Sequence, residues 1–195
     1  LKACPDITVV TVLPEAHMAY WKNYCLERNF ICPQILVKGG ITRFHSVRNA
    51  LSRIPEGAVV AVHDGVRPLV SPRLVKEMFE MASTTPGIIP VTPCVETIKV
   101  LEKKGEKLVS VPGESVDRSR LFGAQTPQIF HSEVLKSAYS LPYDTSFTDD
   151  ASVVQKYNVS LSYTMGERLN IKITTQDDLL LAQAIISMSR QDYSL

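Results

Sequence analysis

Apolar positions in this chain fall into short β-branched runs separated by longer stretches at helical spacing. Ile7 to Val12 (ITVVTV) is a near-continuous β-branched run, the pattern of a strand covered on both faces. Pro14 to Arg28 reads as a helix, Gln34 to Val37 as a second short strand, and Gly39-Gly40 as a turn into a helix over Ser46 to Ile54. Ala58 to Val62 (AVVAV) is the clearest buried strand, and His63-Asp64-Gly65-Val66-Arg67-Pro68 follows it. Ser71-Pro72, a cap and first-turn pair, opens the next helix, and Gly87 to Val91 is the next strand.

This order predicts an α/β fold: a Rossmann-like, mainly parallel sheet flanked by helices, with right-handed crossovers. Ligands in such sheets bind beyond the carboxyl ends of the strands, which points to the segment after Val62. Regularity fails between Thr92 and Ser119, where two β-prone runs flank a charged turn at Gly105. Residues 92–119 therefore read as a projecting β-hairpin arm. A lone hairpin is marginal in water, so the arm is expected to pack on a second copy of the chain. The α/β pattern then resumes, with helices after His131-Ser132 and Thr148-Asp149-Asp150, strands at Val159 to Thr164 and Asn170 to Ile173, and a closing helix from Thr175. No repeat or low-complexity segment interrupts it, and residues 1–195 read as one domain.

Composition narrows the function classes. With 21 basic and 20 acidic side chains and a net charge of +1, the chain lacks the clustered positive charge that nucleic-acid binding needs. The four cysteines (Cys4, Cys25, Cys32 and Cys94) form no CxxC pair and read as reduced thiols. No apolar stretch approaches the roughly 20 residues that span a bilayer, and the start has no signal-peptide pattern, so neither a membrane nor export is expected. The chain reads as cytoplasmic.

Among residues that carry chemistry, Asp64 stands first, just past the most apolar strand. A carboxylate there holds ribose hydroxyls or a phosphate-bound magnesium ion, or it caps the loop with Arg67 as its partner. Gly65 lets a ligand approach the backbone, and Arg67 suits two-pronged phosphate contact. Asp117-Arg118 is equally a surface ion pair, and Gln125-Thr126-Pro127-Gln128 equally a polar strand end. Lys172, with apolar neighbours on both sides, sits at the ligand edge of a sheet or snorkels to solvent. His17, His45, His63 and His131 lack metal-ligand spacing, and no nucleophile elbow or GxGxxG is present. Hydrolytic triads and hydride transfer have no support.

Seven segments in order carry a resemblance. They are Gly39-Gly40 with Arg43 and Ser46-Val47, then His63 to Pro68, Glu96 to Lys99, Val116-Asp117-Arg118, Gln125 to Gln128, Thr148 to Ser152, and Asn170 to Thr174. Together they resemble the 2-C-methyl-D-erythritol 4-phosphate cytidylyltransferase family over nearly the whole chain. The resemblance implies CTP and a polyol phosphate as substrates, Mg2+ as the cofactor, in-line attack on the α-phosphorus and release of pyrophosphate. It further implies that the Ser46 backbone and Gly40 carbonyl read cytosine, and that Asp64 and Gly65 meet the ribose, with Asp64 beside the metal. Arg67, Thr126 and Lys172 would face the polyol phosphate, with Thr148 in the same substrate-binding set. Thr97 and Arg118 would arrive from the partner subunit of a homodimer with shared sites. Lys172, Arg118 and Asp64 are the catalytic set it implies.

Two positions depart from the family pattern: Ile41 stands where an acidic residue is usual, and Gly65-Val66 where two alanines are common. The family also opens with a glycine-rich loop that cradles the triphosphate, so a segment of that kind is expected ahead of Leu1. Without it, little activity is expected and a non-catalytic nucleotide-binding or dimerisation module becomes the alternative. The rival acceptor is D-ribitol 5-phosphate. The contexts Thr97-Ile98-Lys99 and Asn170-Ile171-Lys172 favour methylerythritol phosphate.

Overall fold

Helices cover both faces of the main sheet, and the side chains of its strands divide between two apolar clusters. The computed structural model describes residues 6–113 and 116–191. Cys4 lies outside the described residues, as do residues 114–115 of the arm. The elements are β1 (Val9–Leu13), α1 (Glu15–Glu27), β2 (Gln34–Lys38), α2 (Arg43–Leu51), β3 (Val59–Val62), α3 (Pro72–Met81), β4 (Gly87–Pro93), β5 (Leu101–Lys104), β6 (Lys107–Ser110), β7 (Phe122–Ala124), β8 (Gln128–His131), α4 (Ser132–Ala138), α5 (Asp150–Lys156), β9 (Ser162–Met165) and α6 (Gln176–Gln191). A short 3-10 turn spans Arg118–Arg120.

The expectation of a mainly parallel sheet is corrected. β1 and β2 pair in parallel, as expected, but form their own two-stranded sheet. The five-stranded sheet runs β3-β8-β4-β7, with β9 on the other side of β4. β8 is antiparallel to both β3 and β4, β7 is antiparallel to β4, and only β4–β9 is parallel. The physical reason is that an apolar run records coverage by helices, not strand direction. Ile88 and Ile129 pack with Leu74 and Met78 of α3 on one face. Ile89 and Phe130 pack with Phe44, Leu135, Tyr139 and Val154 on the other. Alternate residues of antiparallel strands are thus buried on both sides, a pattern associated with parallel sheets.

Two local boundaries also move. Thr42 caps α2 by accepting from the His45 N–H, so the helix starts at Arg43, three residues before Ser46. Asn170 to Ile173 forms no strand; its backbone docks on the loop after β3 through Ile173 N–H to Val66 O, 2.8 Å. The α3 cap is as expected, with Ser71 accepting from Leu74 N–H and Pro72 in the first turn. The arm is a two-stranded antiparallel hairpin, and every residue of β5 and β6 is exposed.

Candidate active site

A cavity of about 240 Å³ lies past the end of β3, lined by Arg43, Asp64, Arg67, Gln125, Thr126, Gln128, Thr148, Asp149 and Lys172, with Ala124. Five residues singled out from sequence therefore meet in one place: Asp64, Arg67, Thr126, Thr148 and Lys172. Asp64 is its hub. Arg43 Nε donates to Asp64 Oδ1 at 3.3 Å, and Lys172 Nζ approaches Oδ2 at 3.1 Å. Arg67 Nε stands 4.0 Å from the same Oδ2. Burial pushes the Asp64 carboxyl up, but the Arg43 and Lys172 charges more than reverse this and hold it below its ordinary value.

Each cation is held differently. Arg43 donates through Nη2 to Asp150 Oδ2 at 2.6 Å, and Asp150 is fully buried. The Tyr139 hydroxyl donates to the other oxygen, Oδ1, at 2.6 Å. Burial would lower the Arg43 pKa, yet Asp150 and Asp64 raise it beyond its ordinary value. Phe44, stacked on Tyr139 with ring centroids 4.7 Å apart, fixes the α2 end from which Arg43 projects. Arg67 donates from Nη1 to the Asn170 carbonyl, 2.8 Å away. Among the described residues Lys172 pairs with Asp64 alone, and its side chain is 46% exposed, so an incoming anion can compete for it.

The segment Gln125 to Gln128, read from sequence as a polar strand end, forms the back wall. Its polar side chains are buried because each has hydrogen-bond partners within the protein. Gln125 donates to Glu167 O and accepts from Glu167 N–H, as a neighbouring strand would. Gln128 accepts from Ala151 N–H and donates to Asp149 Oδ2, tying β8 to the start of α5. Asp149 in turn caps α5 by accepting from Ser152 N–H. Buried Asn170 donates to Thr126 O at 2.9 Å.

Gly40 and Ser46 lie together at the start of α2. The Gly40 N–H donates to Ser46 Oγ at 3.0 Å, and the Ser46 N–H is given to Thr42 O within the helix. A Cβ on Gly40 would sit 2.3 Å from His45 Cβ, so glycine is required there. At Gly65 a Cβ would meet nothing within 4 Å, which leaves open space beside Asp64. Ile41 is 95% exposed. Thr97 and Arg118 lie at the base of the arm and do not line the cavity; Arg118 donates to Val95 O. Asp117 accepts from Ser119 rather than pairing with Arg118.

Arg43, Asp149 and Gln128 also line the cavity, although their positions in the sequence segments gave them no site role. The available signal for Arg43 was its position one residue past a Thr cap at the end of a Gly-Gly turn. Among the described residues, no three His, Cys, Asp or Glu side chains converge on a cation cage. Asp64 and Asp149 are the carboxylates that line the cavity.

The sequence profile of the 2-C-methyl-D-erythritol 4-phosphate cytidylyltransferases matches residues 3–188. A protein of that description from Phocaeicola vulgatus is 41% identical over 178 residues, covering 91% of this chain and 78% of that one. The Porphyromonas gingivalis counterpart is 41% identical over 180 residues, covering 92% and 78%. The crystal structure of the Thermus thermophilus enzyme superposes with a TM-score of 0.71 at 30% identity, covering 91% of this chain and 81% of that one. A solved 4-diphosphocytidyl-2C-methyl-D-erythritol synthase gives 0.76 at 26% identity, with 92% and 82% coverage. This chain belongs to the 2-C-methyl-D-erythritol 4-phosphate cytidylyltransferase family.

Proposed function

We propose that the protein transfers a cytidylyl group from CTP to 2-C-methyl-D-erythritol 4-phosphate, releasing pyrophosphate, in non-mevalonate isoprenoid biosynthesis. The observation that carries this reading is the convergence of Asp64, Arg67, Thr126, Thr148 and Lys172 on one cavity in a chain of this family. An acceptor phosphate oxygen attacks the α-phosphorus, and the bond from that phosphorus to the oxygen bridging to the β-phosphorus breaks. The chain's own contribution is positioning and charge. Lys172 leaves Asp64 to meet the acceptor phosphate, while Arg67, braced by the Asn170 carbonyl, keeps its direction. Arg43 holds Asp64 so that the ribose finds a fixed carboxylate. In this reading the Gly40 carbonyl accepts from cytosine, and the open space at Gly65 admits the sugar. A magnesium ion on the triphosphate would take Asp64 as a ligand and offset phosphate charge.

The working form in this reading is a homodimer. Its support is the fully exposed hairpin, which shows Leu101, Leu108 and Val109 to solvent and carries Thr97 and Arg118 at its base. A partner's arm would bring those two residues to the acceptor phosphate. Among the described residues no helix is long and apolar enough to cross a membrane, and a cytoplasmic site of action is part of the proposal.

The test is pyrophosphate release with magnesium and CTP, offering methylerythritol phosphate and ribitol phosphate in parallel. Release with the first alone is expected. Preference for ribitol phosphate would move the acceptor assignment, and silence with both would sink the transferase reading.

A further inference from the structure

Three contacts of equal length link His63, Asp64 and Arg67 of the loop after β3 with one another and with Thr126 of the back wall. The Asp64 N–H donates to Thr126 Oγ1 at 3.0 Å. The same Oγ1 lies 3.0 Å from His63 Nδ1, and His63 Nε2 lies 3.0 Å from the Arg67 carbonyl oxygen. These contacts determine where the hydrogens sit. A carbonyl only accepts, so Nε2 carries the imidazole hydrogen. Above the ordinary imidazole pKa of about 6.5 the ring has a single N–H, so with that hydrogen on Nε2 the Nδ1 atom is an acceptor. The Thr126 hydroxyl hydrogen must then point to His63. One of its two lone pairs is taken by Asp64 N–H, and one is left.

Thr126 is 4% exposed, yet it lines the cavity. What it offers a ligand is therefore a lone pair and no hydrogen. A phosphate dianion, which has no hydrogen to give, gains nothing from it. A hydroxyl does.

We propose that His63 is a positioning residue that locks Thr126 as a hydrogen-bond acceptor, so that this wall of the cavity reads a hydroxyl of the polyol and not its phosphate. This rests on the functional reading above, and it reassigns Thr126 from the phosphate to the carbon chain of the acceptor. The phosphate is left to Arg67, Lys172 and the residues of the arm. A cavity built this way selects acceptors with a hydroxyl at a set distance from the phosphate.

The experiment has a spectroscopic and a kinetic arm. A long-range 1H–15N correlation spectrum of the purified protein should show His63 as the Nε2–H tautomer. In kinetics, Thr126→Val should raise KM for the acceptor about tenfold, the ratio for one ordinary hydrogen bond, and leave KM for CTP within about twofold. His63→Leu frees the Thr126 rotor and should raise acceptor KM by a similar factor. His63→Asn, whose amide oxygen can take the place of Nδ1, should restore it. The double variant His63→Leu/Thr126→Val should be no worse than Thr126→Val alone. An Nδ1–H tautomer, an unchanged acceptor KM in Thr126→Val, or additive losses in the double variant would each overturn the inference. The spectrum needs no turnover, so inertness towards polyol phosphates would count against the functional reading while the tautomer still decides the role of His63.

Discussion

Removing the Tyr139 hydroxyl tests the buried support behind the cavity. Tyr139→Phe keeps the ring that stacks on Phe44 at 4.7 Å, so no cavity opens and the core volume is unchanged. What is lost is one donor, at 2.6 Å, to a carboxylate with no solvent exposure. Asp150 keeps its pair with Arg43, so the charge is not orphaned, but Oδ1 loses the hydroxyl that donates to it. A hydrogen bond to a charged group contributes about 1.5–3 kcal/mol. At ~2–4 °C per kcal/mol for a chain of this size, Tm should fall by roughly 4–8 °C for a loss near 2 kcal/mol. The assay is thermal unfolding followed by calorimetry, beside steady-state kinetics. Because Arg43 still bridges Asp150 and Asp64, both KM values should stay within about twofold. A Tm within about 1 °C of the parent would refute the reasoning, since it would mean that Asp150 does not depend on the hydroxyl.

The remaining expectations address other parts of the molecule. Lys172→Ala should lower turnover by about 10²–10³, the range for losing one electrostatic contact at a transition state, with Tm nearly unchanged because the side chain is half exposed. Near-normal turnover would remove Lys172 from the reaction. Arg118→Ala should also cut turnover severely, and verified heterodimers of Arg118→Ala and Lys172→Ala chains should recover activity if arms cross between subunits; no recovery counts against shared sites. Gly40→Ala should cost about 1–3 kcal/mol in urea unfolding, because the new methyl meets the His45 Cβ, whereas Gly65→Ala should unfold like the parent. Equal stability of the two variants would contradict the packing described. Asp178, held down to about 2 chiefly by the N–H and hydroxyl of Thr174 and the Thr175 N–H, adds stability above the ordinary carboxylate pKa that is lost as pH falls towards 2. The stability difference between the parent and Asp178→Ala should shrink over that window, and a constant difference would refute the contribution of these hydrogen bonds.

The sequence made the start of α3 and the β5–β6 hairpin legible, and it missed the direction of the sheet. Ser71-Pro72 announced α3 because a cap is a local interaction between near neighbours. Asp64 and Arg67 were found because a polar cluster after an apolar strand marks a ligand edge. β8 was hidden because Gln125, Thr126 and Gln128 look like surface residues. They are buried only because Glu167, Asn170, Asp149 and Ala151 meet them from far along the chain. Arg43 was hidden for the same reason, since its partner Asp150 is 107 residues away. No window of local sequence contains such a pair.

The bracket formed by Gln125, Arg67 and Asn170 also bears on synthesis. Domains are made from the N-terminus at about 5–20 residues per second, so the back wall is translated seconds before its partners at 167–170. Until then the Gln125 amide and the Thr126 carbonyl have no protein partner from that segment, and folding them inward would carry the cost of unpaired polar groups. A chain stopped by a premature codon before Asn170 would lack Lys172 and also the means to close the wall. Such products should be cleared as unfolded chains and should not persist as stable, inactive competitors for nucleotide.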